Sequence, residues 1–364
     1  MYTVWAIRKI GFGTMPSIGW YFFAALAMLI LVMCSVPSES HSQAPFEPPK
    51  GTTIIGTAGA ASAPGDIGDL IWNGFGKTVL TKSGGTYGIK LLTRGETGGE
   101  DGMMTALLRN RIQVSSFSEA SMSRLVPEYM LIAAPYLFDS AAESQFVLDN
   151  FLKKPLAEET AKKGIVLHEF QEVGWNNIYG KKPLLTPVDT KSYRMRALPS
   201  QTSQMFLEAV GADVIHMQRT DVVTSLQTGL IDGGETALVL YARGAEPTYA
   251  KHITLTEHSR ASGSSVFNKA WLDGLPADQR NVVLTSYQSL AEQRAEASRL
   301  YEQELARLPT LGVTVHTLSP DQRARWREAT KMNTARLIES IGGRAQEFYN
   351  VILEGKRAFA AQAR

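Results

Sequence analysis

The chain has 364 residues, room for about two domains at roughly 150 residues each. A composition of 44% hydrophobic and 20% charged residues supplies a full apolar core and excludes collagen-like, coiled-coil and disordered classes. The net charge is +2 with no block of like charge, which argues against a nucleic-acid grip, and a single cysteine, Cys34, excludes an internal disulfide framework or a cysteine-built zinc site.

Arg8 and Lys9 precede an apolar run from Trp20 to Val36, the charged and apolar regions of an export signal. Ser42, Gln43 and Ala44 offer small residues for cleavage before Pro45, so residues 1–44 read as a signal peptide and the mature protein as periplasmic. The run is also just long enough to span a membrane, so a retained anchor stays open. A lipoprotein at Cys34 stays open as well, although Met33 is bulky where a lipobox wants a small residue. Residues 45–52 read as a flexible lead-in.

Thr53 to Thr57 predicts a first strand and Asp66 to Val79 an amphipathic helix. Gly84 and Gly85 turn the chain into a second strand, Tyr87 to Leu92. A helix over Asp101 to Arg109 and a strand over Ile112 to Phe117 follow. Strand alternating with helix argues a doubly wound α/β lobe with a largely parallel sheet. Further on, Glu143 to Lys163 reads as helical, with strands at Ile165 to Phe170 and Gly174 to Tyr179. A second unit of the same plan begins at the strand Tyr193 to Ala197. It continues through a helix from Ser200 to Val210, a strand at Val214 to Met217, a helix capped by Thr220, and a return to the sheet at Leu230 to Gly233. Ala277 to Leu308 carries apolar residues at spacings of three, four or seven and predicts one long helix, about 45 Å or more, that crosses both lobes. Ser319, Pro320 and Gln322 form a capping box that opens another helix.

Catalytic motifs are sparse. Gly76, Lys77 and Thr78 end like a P-loop, but Ile71 stands where the loop needs glycine. No dinucleotide fingerprint or nucleophile elbow occurs, and the six histidines show no metal-ligand spacing. Glu96, Glu100 and Asp101 read as a solvated loop at a helix start. The sequence therefore predicts no catalytic residue, no metal and no cofactor.

The stretch from Pro183 to Thr236 is the informative one. Pro183 to Ala197 (PLLTPVDTKSYRMRA) and Thr224 to Thr236 (TSLQTGLIDGGET) resemble the substrate-binding proteins of tripartite ATP-independent periplasmic (TRAP) transporters, the DctP-like family. That family carries "kkP-tpeDlkGlKiRvp" followed by "A-L-Q-T-G-x-x-D-G-x-E-N". Ala134 to Phe138 (APYLF), Trp271 to Leu275 (WLDGL) and Gly312 to Val315 (GVTV) add to the resemblance, which spans about residues 52 to 355.

The resemblance implies a two-lobed periplasmic binding protein with a hinge and a helix bridging both lobes. It would close on a small organic acid and deliver it to an ion-gradient-driven membrane permease. The implied division is 53–173 with 262–301 for the first lobe and 174–261 with 302–364 for the second, in a monomer. Arg196 stands at the family's arginine and is expected to hold the ligand carboxylate with its two-pronged fork. Arg194 is expected on the opposite strand face, in solvent. Glu235 belongs to the second motif. The family's second basic position, in "G-x-R", is Asn176, and the closing Asn of the second motif is Thr236. Trp175 and Tyr179 beside them are expected to offer aromatic walls to a bulky or cyclic ligand body, and Phe117 and Ser118 to end a strand at the ligand crevice. A receptor-facing sensing subunit of the same fold and an exported α/β enzyme are the rival readings.

Overall fold

The computed structural model describes residues 44–62 and 67–362; the expected signal, apart from Ala44, lies outside them. Among the described residues nine strands form one sheet: β1 (Thr53–Gly59), β2 (Tyr87–Leu92), β3 (Val114–Ser118), β4 (Ile165–Gly180), β5 (Arg194–Ala197), β6 (Asp213–His216), β7 (Gly233–Ala237), β8 (His252–Asn268) and β9 (Thr314–Thr317). Their order is β2-β1-β3-β8-β4-β7-β5-β6, with β9 paired to β8. The β1/β2, β1/β3, β5/β6, β5/β7 and β8/β9 pairs are parallel, and β4 and β8 run antiparallel to their other neighbours.

The fold is α/β and two-lobed. One half of the sheet lies between core clusters around Phe117 and Leu156 and around Trp72 and Phe267; the other lies between clusters around Tyr179 and Tyr241 and around Met195 and Trp326. The long strands β4 and β8 pass through both halves. Their register slips between Glu172 and Gly174 and between Asn176 and Ile178, so bulges fall where the chain leaves one half for the other. Gly174 there has φ +118°, which a side chain would resist.

The helices used below are α1 (Ile67–Lys82), α2 (Glu100–Leu108), α3 (Glu119–Met122), α4 (Gln201–Ala209), α5 (Leu238–Arg243) and α6 (Leu290–Arg307). The single long helix expected over 277–308 is two, Ala277–Thr285 and α6. The physical cause is Tyr287, which the chain turns inward to pack 4.5 Å from Phe75 in the first lobe. Ser289 and Glu292 then restart the helix as a capping box. At 18 residues α6 spans about 27 Å, and this is enough to bridge. Near its start Gln293 Nε2 donates to Glu169 Oε1 of β4 at 2.6 Å, and near its end Glu304 Oε1 accepts from Arg243 Nε of α5 at 2.8 Å.

The C-terminal chain also crosses over. Trp326 sits in the core beneath β5, but Leu337, Phe348 and Ile352 pack with Phe117, Val147 and Leu156 of the first lobe. Of the last two helices, which the sequence reading groups with the second lobe, Ala345–Gln362 buries its apolar face on the first lobe and Asn333–Ile341 packs on both the first lobe and α4 of the second. An amphipathic stripe says that a helix needs a partner; it does not say which one. Phe46, in the stretch read as a lead-in, packs against the first lobe, and its N–H donates to Asn73 Oδ1 at 2.5 Å.

Candidate ligand-binding cleft

A small polar cavity, about 10 Å³, lies where the two halves of the sheet meet, with room for about one water. Glu119 reaches it from the first lobe just after β3, and Asn176 and Ser259 from the crossing strands. Ser203 and Phe206 of α4, Glu235 of β7 and His258 of β8 complete most of its wall.

The second-lobe wall is a connected hydrogen-bond system. Ser200 caps α4, accepting from the Ser203 N–H at 3.2 Å, which fixes the first turn and aims Ser203 inward. Ser203 Oγ donates to Glu235 Oε1, and Glu235 Oε2 lies 2.5 Å from His258 Nε2. His258 Nδ1 is 2.9 Å from Thr256 Oγ1, and its ring stacks on Phe206 at 3.9 Å and 8°. Both Glu235 oxygens and both imidazole nitrogens are therefore engaged, as buried polar groups require. Asn176 Nδ2 donates to Ser259 Oγ at 3.0 Å across the two long strands.

Strand alternation splits the residues expected at the site. Asn176 and Glu235 point to the cavity, whereas Thr236, Tyr179 and Arg196 belong to the other sheet face by register, opposite Asn177, Gly234 and Gly234 respectively. Arg196 is 4% exposed; its Nε donates to the Met217 carbonyl and its Nη1 to the Glu235 carbonyl, each at 3.3 Å. Among the described residues it forms no ion pair. Burial holds its basicity below the usual arginine range, with Tyr179 and Glu235 acting against that. Arg194 lies two residues earlier and so shares a strand face with Arg196 instead of opposing it. What separates the two is position along the strand: Arg194 is exposed, and its Nε bonds Asp232 Oδ2 at 2.8 Å.

The aromatic expectations resolve as packing. The Trp175 ring lies 4.5 Å under the Arg260 guanidinium, which also pairs with Glu172, and its edge packs on the first-lobe core. Tyr179 is buried 5.3 Å from Tyr241. Phe117 is buried in the first-lobe core. Ser118 is tied to Glu100, its N–H at 2.7 Å and its Oγ at 2.6 Å, and also caps α3. The sequence reading missed Glu119, Ser203, His258 and Ser259. For Glu119 the only available signal was its place directly after a strand end.

A larger recess of about 340 Å³ lies elsewhere, on the flank of α2 near Leu92, Arg109 and Ile112. It shares no wall with the cleft between the lobes. The cleft is preferred as the candidate site because buried, convergent polar groups mark a binding site better than open volume does.

Comparison with known proteins identifies the architecture. The pattern of DctP, bacterial extracellular solute-binding protein, family 7, matches residues 61–340. The chain belongs to this family. Within the DctP family it is similar to the C4-dicarboxylate-binding periplasmic protein DctP of Vibrio cholerae, 27% identical over 248 residues, 67% of this chain and 74% of that one. Its fold matches a TRAP periplasmic solute-binding protein of Sulfurospirillum deleyianum with bound succinate (TM-score 0.77, 23% identity, 84% of this chain and 99% of that one). It also matches one of Anaerococcus prevotii with bound D-glucuronate (TM-score 0.78, 23% identity, 85% and 99%). The DctP family consists of binding proteins, and among the described residues no helix is long and apolar enough to cross a membrane.

Proposed function

We propose that this chain is the extracytoplasmic solute-binding protein of a TRAP transporter, exported by its N-terminal signal. It captures a small organic carboxylate between its lobes, without turnover, and passes it to an ion-gradient-driven permease. The observation that carries this reading is Arg196, a buried guanidinium near the carboxyl end of β5 whose hydrogen-bond partners among the described residues are both carbonyls. A buried cation is costly unless an anion pairs with it. Glu235, its neighbour, is committed to His258 and Ser203. A ligand carboxylate would complete the pair, and ligands of open α/β sheets bind outside the carboxyl ends of the strands.

Arg196 lies on the other sheet face from the cavity wall, so a ligand held by both would sit across the carboxyl end of β5, where the hydroxyls and amide of the wall suit hydroxylated monocarboxylates better than apolar or compact dicarboxylic acids. This replaces the expectation of a bulky apolar body, because Trp175 and Tyr179 are occupied elsewhere. Titration calorimetry with D-glucuronate, galactonate, succinate and an aromatic acid tests it. Stoichiometric binding with unchanged ligand recovered afterwards supports the reading; tighter succinate binding rejects the hydroxy-acid preference, and consumption of the ligand rejects the binding-protein assignment.

A further inference from the structure

Glu119 appears above only as part of the cavity wall, and it is the one carboxyl that the first lobe contributes to that wall among the described residues. It is buried, and among the described residues no cation stands within ion-pair distance of it. We infer that Glu119 is a ligand-contacting residue that works in its protonated form, donating a hydrogen bond to an oxygen of the bound acid, so that capture takes up a proton. The inference rests on the carboxylate-binding reading.

The surroundings of Glu119 are those of a neutral acid. From α2 it faces Glu100, which is bonded to Ser118 and Ser121. From β7 it faces Glu235, paired with His258 of β8 across the same cavity. The nearest arginine of β8, Arg260, is turned to Trp175 and Glu172, and Tyr129 of the turn after α3 packs on Phe170. Burial, and after it the charges of Glu100 and Glu235, push the Glu119 carboxyl up to about 8, while its own N–H and that of Ser262 act the other way. An anionic ligand adds another negative charge, which favours the protonated form further. Protonated, the group offers one O–H donor and an acceptor, suited to a carboxylate or hydroxyl oxygen. Ionised, it would repel the same ligand.

Two measurements test this. The first needs no ligand: carboxyl ¹³C resonances of wild type, with Glu119 assigned by comparison with Glu119→Gln, should show it titrating well above the other glutamates. Titration in the ordinary carboxylate range overturns the inference. The second follows the affinity of D-glucuronate, galactonate and succinate from pH 6 to 9.5. Affinity in wild type should fall about tenfold per pH unit above the Glu119 midpoint and should not do so in Glu119→Gln. Calorimetry in buffers of different ionisation enthalpy should show proton uptake by wild type alone. Parallel pH profiles in the two proteins overturn the inference and leave the carboxylate reading standing. Failure of every acid to bind at pH 6, with Glu119 protonated, overturns that reading and the ligand role of Glu119 together.

Discussion

Two arginines on one short strand have different surroundings, and under the proposed function the buried one holds the ligand. Arg196→Ala removes a guanidinium from a closed cleft and leaves a ligand carboxylate unpaired, so binding should weaken by about 2–5 kcal/mol, on the order of 30- to several-thousand-fold. Arg196→Lys should recover only part, since an ammonium keeps the charge but loses the fork. Arg194→Ala, which removes only an exposed pair with Asp232, should change affinity little. Calorimetry on folded variants checks the ordering, and the reverse order sinks the assignment. Glu119 makes a separate residue-scale prediction about stability. Its carboxyl rises from an unfolded value of 4.5 to about 8, so between these the folded state holds the extra proton. The stability this provides is full below pH 4.5 and is lost progressively as pH rises to about 8. Urea denaturation across that window should show wild type declining relative to Glu119→Gln; curves that stay parallel would refute it.

At the scale of elements, the restart of α6 is the sharpest test. Ser289 accepts from the Glu292 N–H at 3.3 Å and Glu292 accepts from the Ser289 N–H at 3.1 Å, so Ser289→Ala should cost about 1 kcal/mol. Chemical denaturation measures it, and a neutral substitution would mean that Tyr287 alone anchors the turn. Tyr87 to Leu92 was legible as an apolar run after a glycine turn, and Pro320–Thr330 from the capping box that opens it rather than from apolar spacing. The helix break was not, because Tyr287 and Leu290 fit a continuous 3.6 period on paper, while in space Tyr287 leaves that face for the first-lobe core. The 17-residue β8 was not read as a strand. Its middle, rich in serine, is buried on both faces between neighbouring strands and does not alternate. His258 was hidden with it. Arg196 and Glu235 were legible only through the family resemblance, and nothing in their spacing told which sheet face each would take.

On the whole-molecule scale, a cavity of about 10 Å³ is too small for an organic acid, so the two lobes must part to admit one. The bulges of β4 and β8 and the positive φ of Gly174 sit where such a bend would act. Small-angle scattering on the free protein and on the protein saturated with a bound acid should show a change in the radius of gyration with ligand. An unchanged profile at saturation would count against a closing cleft.

The pairing of β3 with β8 has one more outcome, and it concerns time. Val114 finds its partner at Phe267, and the first-lobe end of β4 finds its own at Asn268, so neither strand is fully paired until the chain has been made past that point. Contacts across so much sequence form slowly, since loop closure is paid before any pairing is gained. During synthesis the N-terminal third of the polypeptide therefore emerges with an open sheet edge that only the later strands can close. A protein whose first lobe cannot finish without its second completes both late, where one assembled lobe by lobe would close its first sheet edge early.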